Sequence, residues 1–412
     1  MKTTHPENIT PVQAGDRHVI LDALRGFALF GICLANFPEF FLYSFLKGDA
    51  TSAMPTAGLD RIIRYLQYIL IDGKFYTIFS LLFGIGFSII LSNAVRKQAN
   101  GLRIFYRRMG ILMIIGFLHL MFLWSGDILM LYALLGLLLP LFRNVSNRTL
   151  LFLSASLLVF PIVADAVIAV TGLELSAPAI RAQQHFCAEY GITDDNFAYW
   201  LRDAGSYTDV LRFLVQGAFV RIQEFLDGNR FFKVMGLFLL GFYIGRNRLY
   251  SHLEGRKPLL KKVLTYGSLL GLPASTIYAW SALNGHPWGL VGHSALYTCG
   301  VYPLALAYVA GICLWYLHHR ESRILGILAV PGQMALTNYI WQSVSGVVLF
   351  YGIGFGLGAD TGLAVVMVIA MGVYLVESVF SRIWLRYCRF GPLEWIWRML
   401  TYGKWLSLMK ET

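Results

Sequence analysis

The feature that most constrains this chain is a succession of apolar segments. Each is close to the roughly 20 residues a helix needs to cross a hydrocarbon layer. They fall near residues 22–43, 62–92, 108–124, 127–142, 149–171, 229–245, 263–283, 294–317, 333–352 and 361–381. Inside a bilayer the backbone has no water to bond, so each segment must close its own hydrogen bonds as a helix. The sequence therefore predicts an all-α fold, a polytopic transmembrane helical bundle of about ten spans. The second segment is interrupted at Asp72-Gly73-Lys74, which predicts a short surface helix followed by the true span. The third and fourth form a hairpin around Ser125-Gly126-Asp127. Composition agrees: 57% of the residues are hydrophobic and 14% charged, against roughly 25% charged in a soluble domain.

The charges supply an orientation. Loops 93–108, 143–148, 246–262, 318–323 and the tail from 382 hold twenty-one Lys and Arg, among them Arg96, Lys97, Arg103, Arg107 and Arg108. Loops 44–61, 125–126, 172–212, 284–293 and 353–360 hold five. Basic loops stay in the cytoplasm, so both termini are expected there, N-in and C-in. The net charge of +11 is thus spent on topology. No nucleic-acid module is visible, and no nucleic-acid partner is expected. Five cysteines without CxxC spacing imply neither a disulfide framework nor a metal site. The first apolar segment contains Asp22 and Arg25 and lacks a small-residue cleavage site, so it is expected to remain as a span.

Four regions follow. Residues 1–150 form an N-terminal four-span half, 151–228 a fifth span plus an outer-face insertion, 229–381 a C-terminal five-span half, and 382–412 a cytoplasmic interfacial tail. In the insertion, Val210 to Phe225 has apolar residues at helical spacing. It reads as an amphipathic helix, lying on the outer membrane face or packed on the bundle. The tail alternates Trp, Tyr and Arg, which suits anionic headgroups.

Ionisable groups in hydrocarbon are costly, so each is a site candidate. Asp22 and Arg25 share one helix face; they either pair locally or offer Arg25 to a phosphate. Asn36 lies eleven residues further along the same span. His119 and Asp127 flank the hairpin, where a carboxylate can orient a histidine as general base, with Tyr132 nearby. Asp72 and Lys74 either form a salt-bridged helix break or line the same cavity as Asn36 and His119. His286 and His293 lack a zinc spacing. Asn338 and Gln342 share a face of the ninth span, as helix glue or as substrate contacts. The glycines at 84, 86, 352, 354, 356 and 358 fit close helix packing rather than a dinucleotide fingerprint.

Several stretches carry a resemblance. Leu21-Asp22-Ala23-Leu24-Arg25-Gly26-Phe27-Ala28-Leu29-Phe30-Gly31, Phe79-Ser80-Leu81-Leu82-Phe83-Gly84, His119 with Trp124-Ser125-Gly126-Asp127-Ile128-Leu129, Met334-Ala335-Leu336-Thr337-Asn338-Tyr339 with Gln342-Ser343, and Gly391-Pro392-Leu393-Glu394-Trp395 resemble the YeiB-like family of bacterial inner-membrane proteins. Gln333 departs from that pattern, which tends to place Arg there. More distantly, Arg25-Gly26 followed by Asn36 is similar to the opening helix of transmembrane acyltransferases of the heparan-glucosaminide acetyltransferase type. That resemblance makes residues 1–150 an acyltransferase-like half. It implies transfer of an acyl group from cytoplasmic acyl-CoA to an extracytoplasmic acceptor. The outer-loop histidine of those enzymes has no counterpart between Asn36 and Asp72.

The expectation is an acyltransferase-like protein of the bacterial inner membrane. His119, Asp127 and Asn36 are its catalytic candidates. Asp72, Lys74, Tyr132, Asn338 and Gln342 are its substrate contacts, and Arg25, Arg107 and Arg108 would meet the CoA phosphates. Acyl-CoA is the expected cofactor and no metal is expected. Membrane lipid and a small-molecule, glycan or lipid acceptor are the expected partners, with a homodimer left open. A proton-coupled transporter or lipid flippase, and a membrane sensor or assembly partner, are the rival readings.

Overall fold

A computed structural model describes residues 18–410, apart from 97, 99, 320 and 321. The polar N-terminal stretch, Lys97 of the first basic loop, and the last two residues lie outside the described residues. In chain order the helices are α1 (Val19–Phe40), α2 (Gly48–Ser52), α3 (Ala57–Leu70), α4 (Lys74–Arg96), α5 (Gly101–Phe122), α6 (Leu129–Gly136), α7 (Asn147–Thr171) and α8 (Ala177–Tyr190). They continue as α9 (Tyr207–Asp227), α10 (Arg230–Arg246), α11 (Lys257–Leu283), α12 (Gly289–His318), α13 (Arg323–Gln333), α14 (Ala335–Phe350), α15 (Leu363–Tyr387) and α16 (Pro392–Tyr402). No named strand occurs among the described residues, and the fold is all-α as expected.

Among the described residues, six helical stretches are long and apolar enough to cross a membrane, or seven if the bent pair α13–α14 is one span. This is a multi-pass membrane protein. α7 shows why: Phe152, Val159, Val163 and Val167 are exposed at helical spacing and face outward. Three expected spans do not take that form. The fourth is the eight-residue α6 followed by a 3₁₀ turn, Leu139–Phe142, begun at Pro140, too short to cross alone. The sixth is the 17-residue α10, which carries Arg230, Lys233 and Arg246. The seventh is the 27-residue α11, longer but less apolar, with Ser, Thr and Tyr along it.

Local sequence sets the breaks. The second apolar segment divides into α3 and α4 at Gly73, whose φ of 72° suits a residue without a side chain. α13 and α14 meet at 79° around Met334. Ser206 and Asp209 form a capping box that starts α9. α9 then buries Val210, Phe213, Leu214, Arg221 and Phe225. It is therefore packed on the bundle, the second of its two expected placements.

Glycines let α4 and α10 touch. A Cβ on Gly84 would lie 2.1 Å from the Phe238 carbonyl oxygen, and one on Gly241 would lie 2.1 Å from that of Leu81. Small residues bring backbones together where lipid offers no hydrophobic drive. Gly241→Ala should therefore cost about 1–3 kcal/mol through overpacking. A lowered unfolding midpoint of the detergent-purified protein checks this. Gly86→Ala, where a Cβ meets nothing within 4 Å, should leave the midpoint unchanged.

Candidate functional site

α1, α4 and α5 each turn one face toward a shared cavity of about 540 Å³. From α1 come Asp22, Arg25, Ile32, Asn36 and Glu39. From α4 come Phe75, Tyr76, Phe79, Leu82, Phe83 and Phe87, and from α5 Phe105, Arg108, Met109 and Leu112. These are three- and four-residue spacings, one stripe per helix. Asp22 to Glu39 is 17 residues of helix, or about 25 Å at 1.5 Å per residue. The cavity thus runs along most of a bilayer's thickness.

Its two ends are polar and its middle is not. At one end Arg25 meets Asp22 at 2.5 Å, and the Arg108 guanidinium lies 3.8 Å from the Trp397 ring centroid. Trp397, Arg398 and Glu394 of α16 close this end. Glu394 accepts from the Leu336 and Thr337 backbone N–H groups at 2.7 and 3.1 Å, and from the Thr337 hydroxyl at 2.5 Å. Burial pushes its carboxyl above the ordinary range even though these hydrogen bonds favour the anion. The middle is Phe79, Phe83, Phe87, Leu112 and Leu129. The other end collects Asn36, Glu39, Asp72, Tyr76, Arg221, Arg230, Lys233, Tyr278 and His293.

The structure divides the expected site residues. Arg25, Arg108, Asn36, Asp72 and Tyr132 line the cavity. Asp72 accepts from the Tyr278 hydroxyl at 2.8 Å, and the Tyr132 hydroxyl lies 2.6 Å from Ser80 Oγ. Lys74, Arg107, His119, Asp127, Asn338 and Gln342 do not line it. Lys74 and Asp72 form no salt bridge; the Lys74 ammonium donates to the Tyr68 carbonyl at 2.7 Å, because the turn at Gly73 points it back at the end of α3. Arg107, one residue from the cavity stripe, donates instead to the Leu400 carbonyl at 2.7 Å.

His119 is fully enclosed. Its Nδ1 lies 2.8 Å from Asp127 Oδ1 and its Nε2 lies 2.9 Å from Ser343 Oγ. The expected His–Asp pair therefore exists, but both ring nitrogens are occupied. Asp127 Oδ2 also accepts from the Met130 N–H at 2.8 Å. The set ties α5 to α14 and backs Trp124 and Tyr339, which do line the cavity. Asn338 bonds Ser381 at 3.0 Å and Gln342 bonds Glu377 at 3.0 Å, joining α14 to α15 as helix glue.

Sequence reasoning missed Glu39, Arg221, Arg230, Lys233, Glu394 and Arg398. Glu39 lies one turn beyond Asn36, so the stripe that singled out Asn36 contains it. Arg230 and Lys233 open the sixth apolar segment, three residues apart.

With this geometry in view, the chain was compared with known proteins. Residues 244–404 match the family described as "Protein of unknown function (DUF418)". Over its length the chain is 29% identical to "Uncharacterized protein YxaH" of Bacillus subtilis, covering 98% of this chain and 99% of that protein. It is 28% identical to "Uncharacterized protein YeiB" of Escherichia coli, covering 94% and 96%. The resemblance to the YeiB-like family holds. No solved structure gives a significant match. Three of the YeiB-like stretches meet in these contacts. Glu394 of the Gly-Pro-Leu-Glu-Trp run caps the helix opened by Met-Ala-Leu-Thr-Asn-Tyr, and His119 reaches Ser343 just beyond that run.

His119→Ala would strand Asp127 and Ser343 in a buried site, at about 1–3 kcal/mol for each group left without a partner. Denaturant or thermal unfolding of the purified variant should show that loss.

Proposed function

We propose that the protein is a membrane-embedded acyltransferase, carrying an acyl group from cytoplasmic acyl-CoA to an acceptor at the opposite face of the bacterial inner membrane. The observation that carries this reading is the single cavity that joins a basic end to a second polar end through an apolar corridor. The cluster of basic residues in loop 93–108 and the C-terminal tail favours a cytoplasmic position for the Arg25 end. Arg25 and Arg108 there suit the phosphates of CoA, since guanidinium groups bind phosphate in a fixed fork. The thin pantetheine arm and acyl chain suit the corridor of Phe79, Phe83 and Leu112.

Glu39 serves as the base. It faces the far end of the cavity and makes no hydrogen bond or ion pair among the described residues. The acceptor's hydroxyl or amine attacks the thioester carbonyl carbon and passes its proton to the Glu39 carboxylate. A C–O or C–N bond forms and the C–S bond breaks. The thiolate leaves with CoA and takes a proton from cytoplasmic water, and Glu39 releases its own to water at the far end. Asn36, one turn away on the same face, donates its amide N–H to the carbonyl oxygen as charge builds there.

Proton-coupled transport fits less well. The His119–Asp127 pair, which a proton relay would use, lies off the cavity with both ring nitrogens hydrogen-bonded, and Asp72 on the cavity wall is held by Tyr278.

Isothermal titration of the purified protein with palmitoyl-CoA tests the reading. Wild type should bind, and Arg25→Gln and Arg108→Gln should each weaken binding about tenfold or more. No binding by wild type overturns it. Glu39→Gln should bind palmitoyl-CoA normally yet release no free CoA thiol in membrane vesicles that supply the acceptor.

A further inference from the structure

The far end of the cavity holds donors that lack acceptors. Lys233 is 7% exposed, and its ammonium makes no hydrogen bond or ion pair among the described residues; it sits 4.0 Å from the Tyr297 ring centroid. Arg230, one turn earlier, likewise makes no hydrogen bond or ion pair there and lies 5.7 Å from the Tyr76 ring centroid. The buried Tyr76 hydroxyl has no hydrogen-bond partner among the described residues. All three groups face the cavity. The carboxylates nearby are otherwise engaged: Asp72 accepts from Tyr278, and Asp165 accepts from Asn229 at 2.7 Å and from Ser294. Glu224 pairs with Arg221 at 2.5 Å. Glu39, which lines the cavity from α1, makes no hydrogen bond or salt bridge among the described residues and feels Arg221 and Arg230 only at a distance.

Two cations facing a cavity at membrane depth are expensive; Asp72, Asp165 and Glu224 act on them only at a distance, and no carboxylate among the described residues reaches ion-pair distance of either. Both sit in the first turn of α10, where free backbone N–H groups and the helix dipole add positive potential. The geometry points to a second anion site here, formed by Arg230, Lys233 and the Tyr76 hydroxyl, for a phosphate or carboxylate group. Treating that anion as part of the acyl acceptor rests on the transfer reading above; the anion site itself does not. Such an acceptor would place its charge against α10 and its nucleophile toward Glu39 across the chamber.

The test is a thermal-shift titration of the purified protein with inorganic phosphate, with dodecyl phosphate and with uncharged dodecanol. Wild type should be stabilised by at least one of the two phosphates and not by dodecanol. Stabilisation by inorganic phosphate and dodecyl phosphate alike identifies a soluble anion as the ligand; stabilisation by dodecyl phosphate alone identifies a lipid headgroup. Lys233→Met and Arg230→Gln should each weaken the response about tenfold or more, and Lys233→Arg should keep it. Palmitoyl-CoA binding should survive Lys233→Met, and phosphate binding should survive Arg25→Gln, so the two readings fail separately. The anion site is overturned if neither phosphate stabilises wild type, or if Lys233→Met and Arg230→Gln respond as wild type does.

Discussion

One carboxylate holds the architecture of the cavity in place. The 79° bend between α13 and α14 leaves the first N–H groups of α14 without helical partners, in a buried site. Glu394 supplies the acceptors. Because it arrives on α16, the same bonds fasten the C-terminal helix over the Arg25 end and set Trp397 beneath Arg108. Gly391 permits the approach: a Cβ there would lie 2.2 Å from the Glu394 carboxylate. The bend, the cap and the basic end are thus one construction. It uses residues nearly sixty positions apart in the chain.

Many of the remaining buried polar groups away from the cavity are paired across helices, as burial favours. His119 with Asp127 and Ser343, Asn338 with Ser381, and Gln342 with Glu377 tie α5, α14 and α15 together. Asp165 is met by Asn229 and Ser294 in the same way. On the cavity wall, Asn36, Glu39, Arg230 and Lys233 make no side-chain hydrogen bond or salt bridge among the described residues.

Much of this was legible in the sequence. Segment length and hydropathy gave the all-α class, and the break at Gly73 and the hairpin after α5 were placed correctly. The polar stripe on the first helix singled out Arg25 and Asn36, both of which line the cavity. The failures have physical causes. Hydropathy alone cannot tell a short helix plus a 3₁₀ turn from a span, so α6 was overread. Residue type made His119 a base, but only packing shows both its nitrogens occupied. Arg230 and Lys233 sit at the edge of an apolar segment, where topology normally accounts for cations, and the fold turns them inward. Glu394 needed the bend at Met334, which sequence spacing does not encode.

The corridor between the two polar ends has a consequence for the membrane as an electrical barrier. A passage of about 25 Å through the protein would short the ion gradient if water filled it from end to end. Phe79, Phe83, Phe87 and Leu112 offer water no hydrogen bonds, so a continuous water chain is disfavoured along the middle. The same side chains can still accommodate an apolar chain. An apolar middle of this kind disfavours ion passage with no moving part.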